Sequence, residues 1–174
     1  MDDLDLIPFA SPLYWVLLAV GLFGRAMDFL STWVATPQLV LEGNPLAKWM
    51  GWRVGMVVNV VLCFVFAFSV FTAVIVATMS LLVAARNFQS AWMMRAMGEH
   101  AYQSFMSDLL HQSGALSYLL TAYAQSLLMA LIGFALLLSG YEREIPFAIG
   151  MGTVAYAGAV AVYTTLAIWR RRRG

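Results

Sequence analysis

The sequence predicts an all-α membrane protein, built as one integral membrane domain over residues 1–174. It predicts four transmembrane helices, with one cytoplasmic or interfacial amphipathic helix between the second and third. The chain is 62% hydrophobic and 11% charged, whereas soluble domains carry about 25% charged residues. Its apolar residues occur in blocks long enough to cross a bilayer. One cysteine, Cys63, excludes a disulfide within the chain.

The first predicted span covers residues 12–34. Ser11 and Pro12 suit a helix start, because proline lacks the N–H that the first turn leaves unpaired. Trp15 and Trp33 stand near the two ends, where interfacial aromatic residues are common. The N-terminus shows neither a basic region nor a small-residue cleavage site, so we expect this apolar run to be retained.

The second predicted span covers residues 54–85, which contain no charged residue. Asn44 and Pro45 precede it and predict a helix start, with asparagine as the cap and proline at the first position. One helix over 54–85 would be about 48 Å long. We therefore expect it to tilt or to project beyond the membrane.

Residues 86–112 predict the amphipathic helix. Aromatic and aliphatic side chains recur on one face, and Arg95, Glu99 and Asp108 argue against a lipid crossing. The helix could lie in the interface, extend the second span into water or pack on partner copies. His100 and His111 are eleven residues apart, about 16 Å along a helix, so one metal ion cannot bridge them. They are candidates for a pH-responsive interface.

The third and fourth predicted spans cover residues 114–139 and 145–169. In the third span, Gln125 continues a polar stripe that begins at Ser117, and such stripes bind neighbouring helices. In the fourth, Gly152 belongs to a face of small residues that allows close helix approach. Gln125 and Gly152 are therefore interface candidates. Four arginines at 170–173 predict an anchor at an anionic leaflet.

The distribution of basic residues predicts the orientation. Four spans place both termini and residues 86–112 on one side, with six basic residues against three on the other. Cytoplasmic loops carry the excess of lysine and arginine. We therefore expect both termini in the cytoplasm.

The candidate site begins with Arg25, Asp28 and Thr32, which share one face of the first helix. A charge inside a bilayer costs at least about 2.5–3.5 kcal/mol, so these residues form either a functional site or a self-neutralising pair that fixes helix packing. Glu42 and Asn44 could bring oxygen atoms over the outer end of this face. With Asp28 and Thr32 they would suit a hard cation. The alternative is a turn at Gly43 followed by a capped helix.

Two patterns in residues 25–52, D-x-x-S-T and E-x-N-P, resemble the signature of a poorly characterised family of small prokaryotic membrane proteins. The resemblance implies that Asp28, Thr32, Glu42, Asn44 and Pro45 belong to one site in a prokaryotic inner membrane. It implies no activity. A basic residue associated with the following span is not evident, and Asn59 stands in that region.

Three functions remain open. The first is a non-enzymatic, homo-oligomeric sensor, accessory subunit or pore, in contact with the lipid bilayer and with copies of itself or a larger membrane complex. The second is a small ion or solute transporter or channel that uses Arg25 and Asp28. The third is a membrane enzyme acting on lipid or peptide through Asp28 and Glu42. No common catalytic or nucleotide-binding motif is recognisable, and no cofactor, metal or nucleic-acid partner is predicted.

Overall fold

The fold is a bundle of helices. A computed structural model describes the backbone over residues 6–173 and the side chains over residues 6–169. The predicted arginine anchor at 170–173 therefore has side chains outside the described residues, as does the acidic N-terminus at 1–5. The described helices are α1 (Pro12–Ala35), α2 (Pro45–Phe66), α3 (Val70–Met97), α4 (Glu99–Ser113), α5 (Ala115–Ser139) and α6 (Glu144–Arg173).

Five of these helices are long and apolar enough to cross a membrane: α1, α2, α3, α5 and α6. The expected four spans are therefore not confirmed. The difference arises at the predicted second span, 54–85, which is divided between two helices. The first of them ends at Phe66 and the second begins at Val70. The excess length of that charge-free block reflects a chain reversal rather than a tilted helix.

Contacts with the N-terminal part of the chain hold this reversal. Ala67 is fully buried, and the Phe68 carbonyl accepts a hydrogen bond from the Ile7 amide at 3.0 Å. The Tyr14 hydroxyl donates to the Phe64 carbonyl at 3.1 Å, and the Tyr14 and Phe68 rings lie 5.0 Å apart. Ser69 then caps α3 by accepting the Thr72 amide. The turn needs neither glycine nor proline because tertiary contacts stabilise it.

The predicted amphipathic helix over 86–112 is also divided. Residues 86–97 complete α3, Gly98 interrupts the helix, and α4 follows. Gly98 has φ +81°, a conformation that side chains disfavour and glycine tolerates. Tyr102 is the one buried residue of α4, while Phe105 and Leu109 are exposed.

Helices α1 and α3 run in the same direction and pack closely. A Cβ atom added to Gly24 would lie 3.2 Å from the Cα of Ala77. The residues of α3 that are buried share small size, and they recur every three, four or seven positions. They are Ala73, Ala77, Ser80, Ala84 and Ala91. Such stripes give van der Waals packing, which drives helix association where lipid removes the hydrophobic force.

The remaining helices pack around this pair. Helix α2 runs antiparallel to α1 and brings Cys63 against Gly21. Helix α6 packs on α3, with the Phe71 and Phe147 rings 6.0 Å apart at one end. Helix α5 packs beside α6, and the two helices approach closely at Gly133.

The helices give the bundle two ends. The upper end carries the 36–44 loop and α4, and the lower end carries the turns at 67–69 and 140–143. Trp49 and Trp92 are 83% and 70% exposed near the upper end, and Tyr141 is 82% exposed at the lower end. Exposed aromatic residues at both ends are typical of membrane–water interfaces.

Candidate functional site

The Arg25 guanidinium joins three helices. From α1, its Nε donates to the Oδ1 of Asn59 on α2 at 2.7 Å, and its Nη2 donates to the same oxygen. Its Nη1 donates to the Oδ2 of Asp28 at 2.9 Å and to the Oγ of Ser80 on α3 at 3.1 Å. Each guanidinium nitrogen therefore has a partner inside the chain. We call Arg25, Asp28, Asn59 and Ser80 the Arg25 cluster.

Local structure orients the members of this cluster. Arg25 and Asp28 are three residues apart on one helix, which places their side chains on one face. The Asn59 amide nitrogen donates to the Gly55 carbonyl at 2.7 Å, so its oxygen faces Arg25. A basic residue at position 59 would place a positive charge against Arg25, whereas the Asn59 amide oxygen accepts from it.

A second polar contact lies one to two turns above the Arg25 cluster. The Asn87 amide nitrogen on α3 donates to the hydroxyls of Ser31 and Thr32 on α1, at 3.2 and 3.1 Å. The Ser31 hydroxyl donates to the Asp28 carbonyl at 2.8 Å. The Thr32 side chain therefore contacts Asn87 on α3.

Glu42 and Asn44 have different roles after the end of α1. The Glu42 carboxylate acts electrostatically on Asp28 and accepts the Asn44 amide at 2.7 Å. The Asn44 oxygen accepts the Leu46 amide at 3.0 Å and caps α2, with Pro45 at the first helical position. Asn44 therefore caps a helix, as the alternative prediction for this segment proposed. The described residues contain no group of three histidine, cysteine or acidic side chains able to hold a metal ion.

The 36–42 loop is bound to the start of α4 through Glu99. The Glu99 carboxylate accepts hydrogen bonds from the Thr36 hydroxyl and from the amides of Gln38 and Val40, the latter two at 2.8 and 3.0 Å. Partial burial alone would raise the pKa of Glu99. These hydrogen bonds and the nearby His100 outweigh that effect and hold the pKa below its ordinary value of 4.5.

Tryptophan and arginine side chains contact the same loop and the end of α1 that precedes it. The Trp52 indole donates to the Pro37 carbonyl at 2.9 Å, and its ring lies 6.0 Å from the Phe29 ring on α1. The Arg95 guanidinium lies 5.9 Å above the Trp33 ring, within the range of a cation–π contact. The loop above the Arg25 cluster is therefore held from α2 and α4, and Arg95 on α3 contacts the end of α1 that precedes it.

The four interface candidates separate into two groups. His100, His111 and Gln125 are exposed on the described chain. Gly152 is buried inside it, where an added Cβ would lie 2.9 Å from the Ile75 carbonyl and from the Thr78 Cβ on α3. The small-residue face of α6 thus packs on α3 in the same chain.

Sequence reasoning missed Ser80, Asn87 and Glu99 as partners of the first helix and its loop. Ser80 and Asn87 are seven residues apart in α3, and Ser80 belongs to the row of small buried residues. A spacing of seven residues places both polar side chains on one face of α3, and this was the signal available in the sequence. Glu99 gave no such signal, because its partners are mostly backbone amides more than 50 residues away.

Comparisons of the chain with protein-family models, with curated proteins and with solved structures find no match.

Proposed function

We propose that the chain is a non-enzymatic membrane protein that acts as a homo-oligomeric sensor, accessory subunit or pore. In this proposal the Arg25 cluster stabilises the packing of α1, α2 and α3 and is not a reaction centre. One observation carries it: every nitrogen of the Arg25 guanidinium donates to a side chain of α1, α2 or α3. A charge that is paired and hydrogen-bonded at every nitrogen in an apolar span stabilises packing and leaves little capacity for a substrate.

Assembly with other copies is supported by the sparse packing of α2. Gly55 and Cys63 are its only buried residues, and its other faces are apolar and largely uncovered by the described chain. Lipid or a second copy would cover them. Two residues of α4, Phe105 and Leu109, add exposed apolar surface at the upper end.

Five spans change the proposed orientation, because a chain that crosses a membrane an odd number of times has its two termini on opposite sides. The upper side then has seven basic residues, Lys48, Arg53, Arg95 and the four at 170–173. The lower side has Arg143. The positive-inside rule supports an upper, C-terminal side in the cytoplasm and an N-terminus outside a prokaryotic inner membrane.

The mass of the protein in lipid nanodiscs tests this proposal. We expect a homo-oligomer that persists on dilution, and we expect Val57→Trp on the exposed face of α2 to shift it toward smaller species. The matched control is Leu131→Trp on the exposed face of α5. A strict monomer at all concentrations would contradict the proposal.

A second candidate is an ion or solute pathway through Asp28. One of its carboxylate oxygens pairs with Arg25, while the other has no hydrogen-bond partner among the described residues, and Glu42 lies within electrostatic range. Two carboxyl groups near one end of a span suit a cation or proton. Flux in liposomes that Asp28→Asn abolishes, and that Asp108→Asn on α4 leaves intact, would favour this candidate. A membrane enzyme using Asp28 and Glu42 stays a prediction.

A further inference from the structure

Arg86 is a second arginine inside an apolar helix, and its surroundings differ from those of Arg25. It precedes the exposed Trp92 by six residues of α3, about 9 Å along the helix. Its Nη1 is buried, and no described residue accepts a hydrogen bond from it. The ion pair found among the described residues is that of Arg25 with Asp28. Arg86 therefore has no counter-ion in the described chain.

A buried guanidinium nitrogen without an acceptor is unfavourable, and burial near a bilayer increases the cost. Two acidic groups of the bundle, Asp28 and Glu99, are engaged with other residues. Asp28 pairs with Arg25, and Glu99 binds the 36–42 loop. Neither carboxylate lines the space around Arg86. No described residue therefore supplies a negative charge to Arg86.

Arg86 lines a cavity of about 310 Å³ between α3, α5 and α6. This volume lies at the lower end of ligand sites, which are about 300–1,000 Å³. Its polar lining comes from Gln89 on α3, Gln125 on α5 and Tyr156 on α6. Apolar side chains, including Leu82 and Met129, form the remaining wall. We call this space the Arg86 cavity.

We propose that the Arg86 cavity binds the phosphate group of an anionic ligand. Arginine presents a planar fork of N–H donors that matches phosphate oxygens, and glutamine and tyrosine add neutral donors. The absence of acidic lining residues favours an anion over a cation. The phosphate could belong to a phospholipid headgroup or be free in solution. This site is separate from the Arg25 cluster, so it stands independently of the proposed function.

Binding measurements on the purified full-length protein in a neutral detergent test this proposal. The probes are a short-chain phosphatidylglycerol, a phosphatidylcholine of equal chain length, and inorganic phosphate with chloride at matched ionic strength. Arg86→Gln removes the charge, and Gln125→Leu keeps Arg86 while removing a neutral donor. Arg53→Gln, at an exposed arginine away from the cavity, is the matched control.

We expect wild-type protein to bind phosphatidylglycerol more tightly than phosphatidylcholine. Arg86→Gln should weaken this binding roughly tenfold or more, and Gln125→Leu should weaken it less, since a charged hydrogen bond contributes more than a neutral one. Arg53→Gln should bind as wild type does. Competition by inorganic phosphate would identify a free anion as ligand, and its failure to compete would identify the headgroup.

Equal binding of both lipids together with no phosphate binding would overturn the proposal. So would unchanged phosphatidylglycerol binding by a folded Arg86→Gln variant. A third contrary result is loss of the oligomer in Arg86→Gln without any effect of lipid or phosphate, because it would assign a carboxylate of another copy as the partner of Arg86.

Discussion

Arg25 donates through Nε to the Oδ1 of Asn59 at 2.7 Å, and this contact joins α1 to α2. The same guanidinium reaches Ser80 on α3. The Asn59 amide nitrogen donates in turn to the Gly55 carbonyl, and this bond orients the amide oxygen toward Arg25. The three helices are thereby fixed in one register by one side chain.

Replacing Asn59 with leucine should destabilise the protein by about 1.5–3 kcal/mol, because it removes the acceptor of two charge-assisted hydrogen bonds in an apolar span. Asn59→Asp should retain most of the stability, since a carboxylate also accepts from Arg25. Unfolding in mixed micelles measures both, with Leu131→Val on the exposed face of α5 as control. Equal stability of Asn59→Leu and the control would argue against a stabilising role for the Arg25–Asn59 contact.

Arg25 and Asp28 should be strongly coupled in a double-mutant cycle. Arg25→Met leaves a carboxylate without its partner, and Asp28→Leu leaves a guanidinium with only neutral acceptors. The double variant leaves neither charge, so its destabilisation should be smaller than the sum by about 1–3 kcal/mol. Additive free energies of unfolding would show that the two residues do not act as a pair.

Glu99 should make stability depend on acid pH. Its pKa is lower in the folded protein than the ordinary 4.5, because three donors bind the carboxylate. Its stabilisation is therefore complete above about pH 4.5 and is lost as the pH falls through the lower folded value.

The melting temperature of Glu99→Gln should accordingly lie below that of wild type near neutral pH, by about 2–4 °C for each kcal/mol of unfolding free energy lost. This gap in melting temperature should close in acid. Thermal melts across this pH range measure the gap. Glu142→Gln, at an exposed carboxylate of the lower turn, should show no such gap. A gap for Glu99→Gln that stays constant into acid would mean that the carboxylate charge is not what holds the loop.

Gly152→Val should loosen the packing of α6 on α3. An added Cβ would already meet the Ile75 carbonyl and the Thr78 side chain at 2.9 Å, so overpacking should cost about 1–3 kcal/mol. Gly158→Val is the matched control, because nothing lies within 4 Å of a Cβ there. Unfolding should report the loss while the oligomer mass stays unchanged. A changed mass with unchanged stability would instead place Gly152 at a contact between copies.

The parts of the fold that depend on local signals could be predicted from the sequence. Proline after a capping residue marks the starts of α1 and α2, at Pro12 and Pro45. The i, i+3 spacing of Arg25 and Asp28 is likewise a local feature. These features need no information about which helices are neighbours.

The reversal at 67–69 could not be read in this way. Its sequence, Ala-Phe-Ser, has no glycine or proline, and it is held by Ile7 and Tyr14, more than 50 residues away. For the same reason Ser80 could not be assigned to Arg25 from sequence. Once α3 begins at Val70 and runs parallel to α1, Ser80 comes level with Arg25. The missed turn and the missed partner have one cause.

The arrangement that creates the Arg25 cluster is tested most directly by labelling single cysteines in oriented vesicles with a membrane-impermeant maleimide. On a Cys63→Ala background, the probes are Gly43→Cys in the upper loop, Gln112→Cys at the end of α4 and Tyr141→Cys in the lower turn, all exposed positions. Five spans predict that positions 43 and 112 react from one side and position 141 from the other. Reaction of 43 and 141 from one side, with 112 from the opposite side, would show a single span over 54–85 and contradict the account.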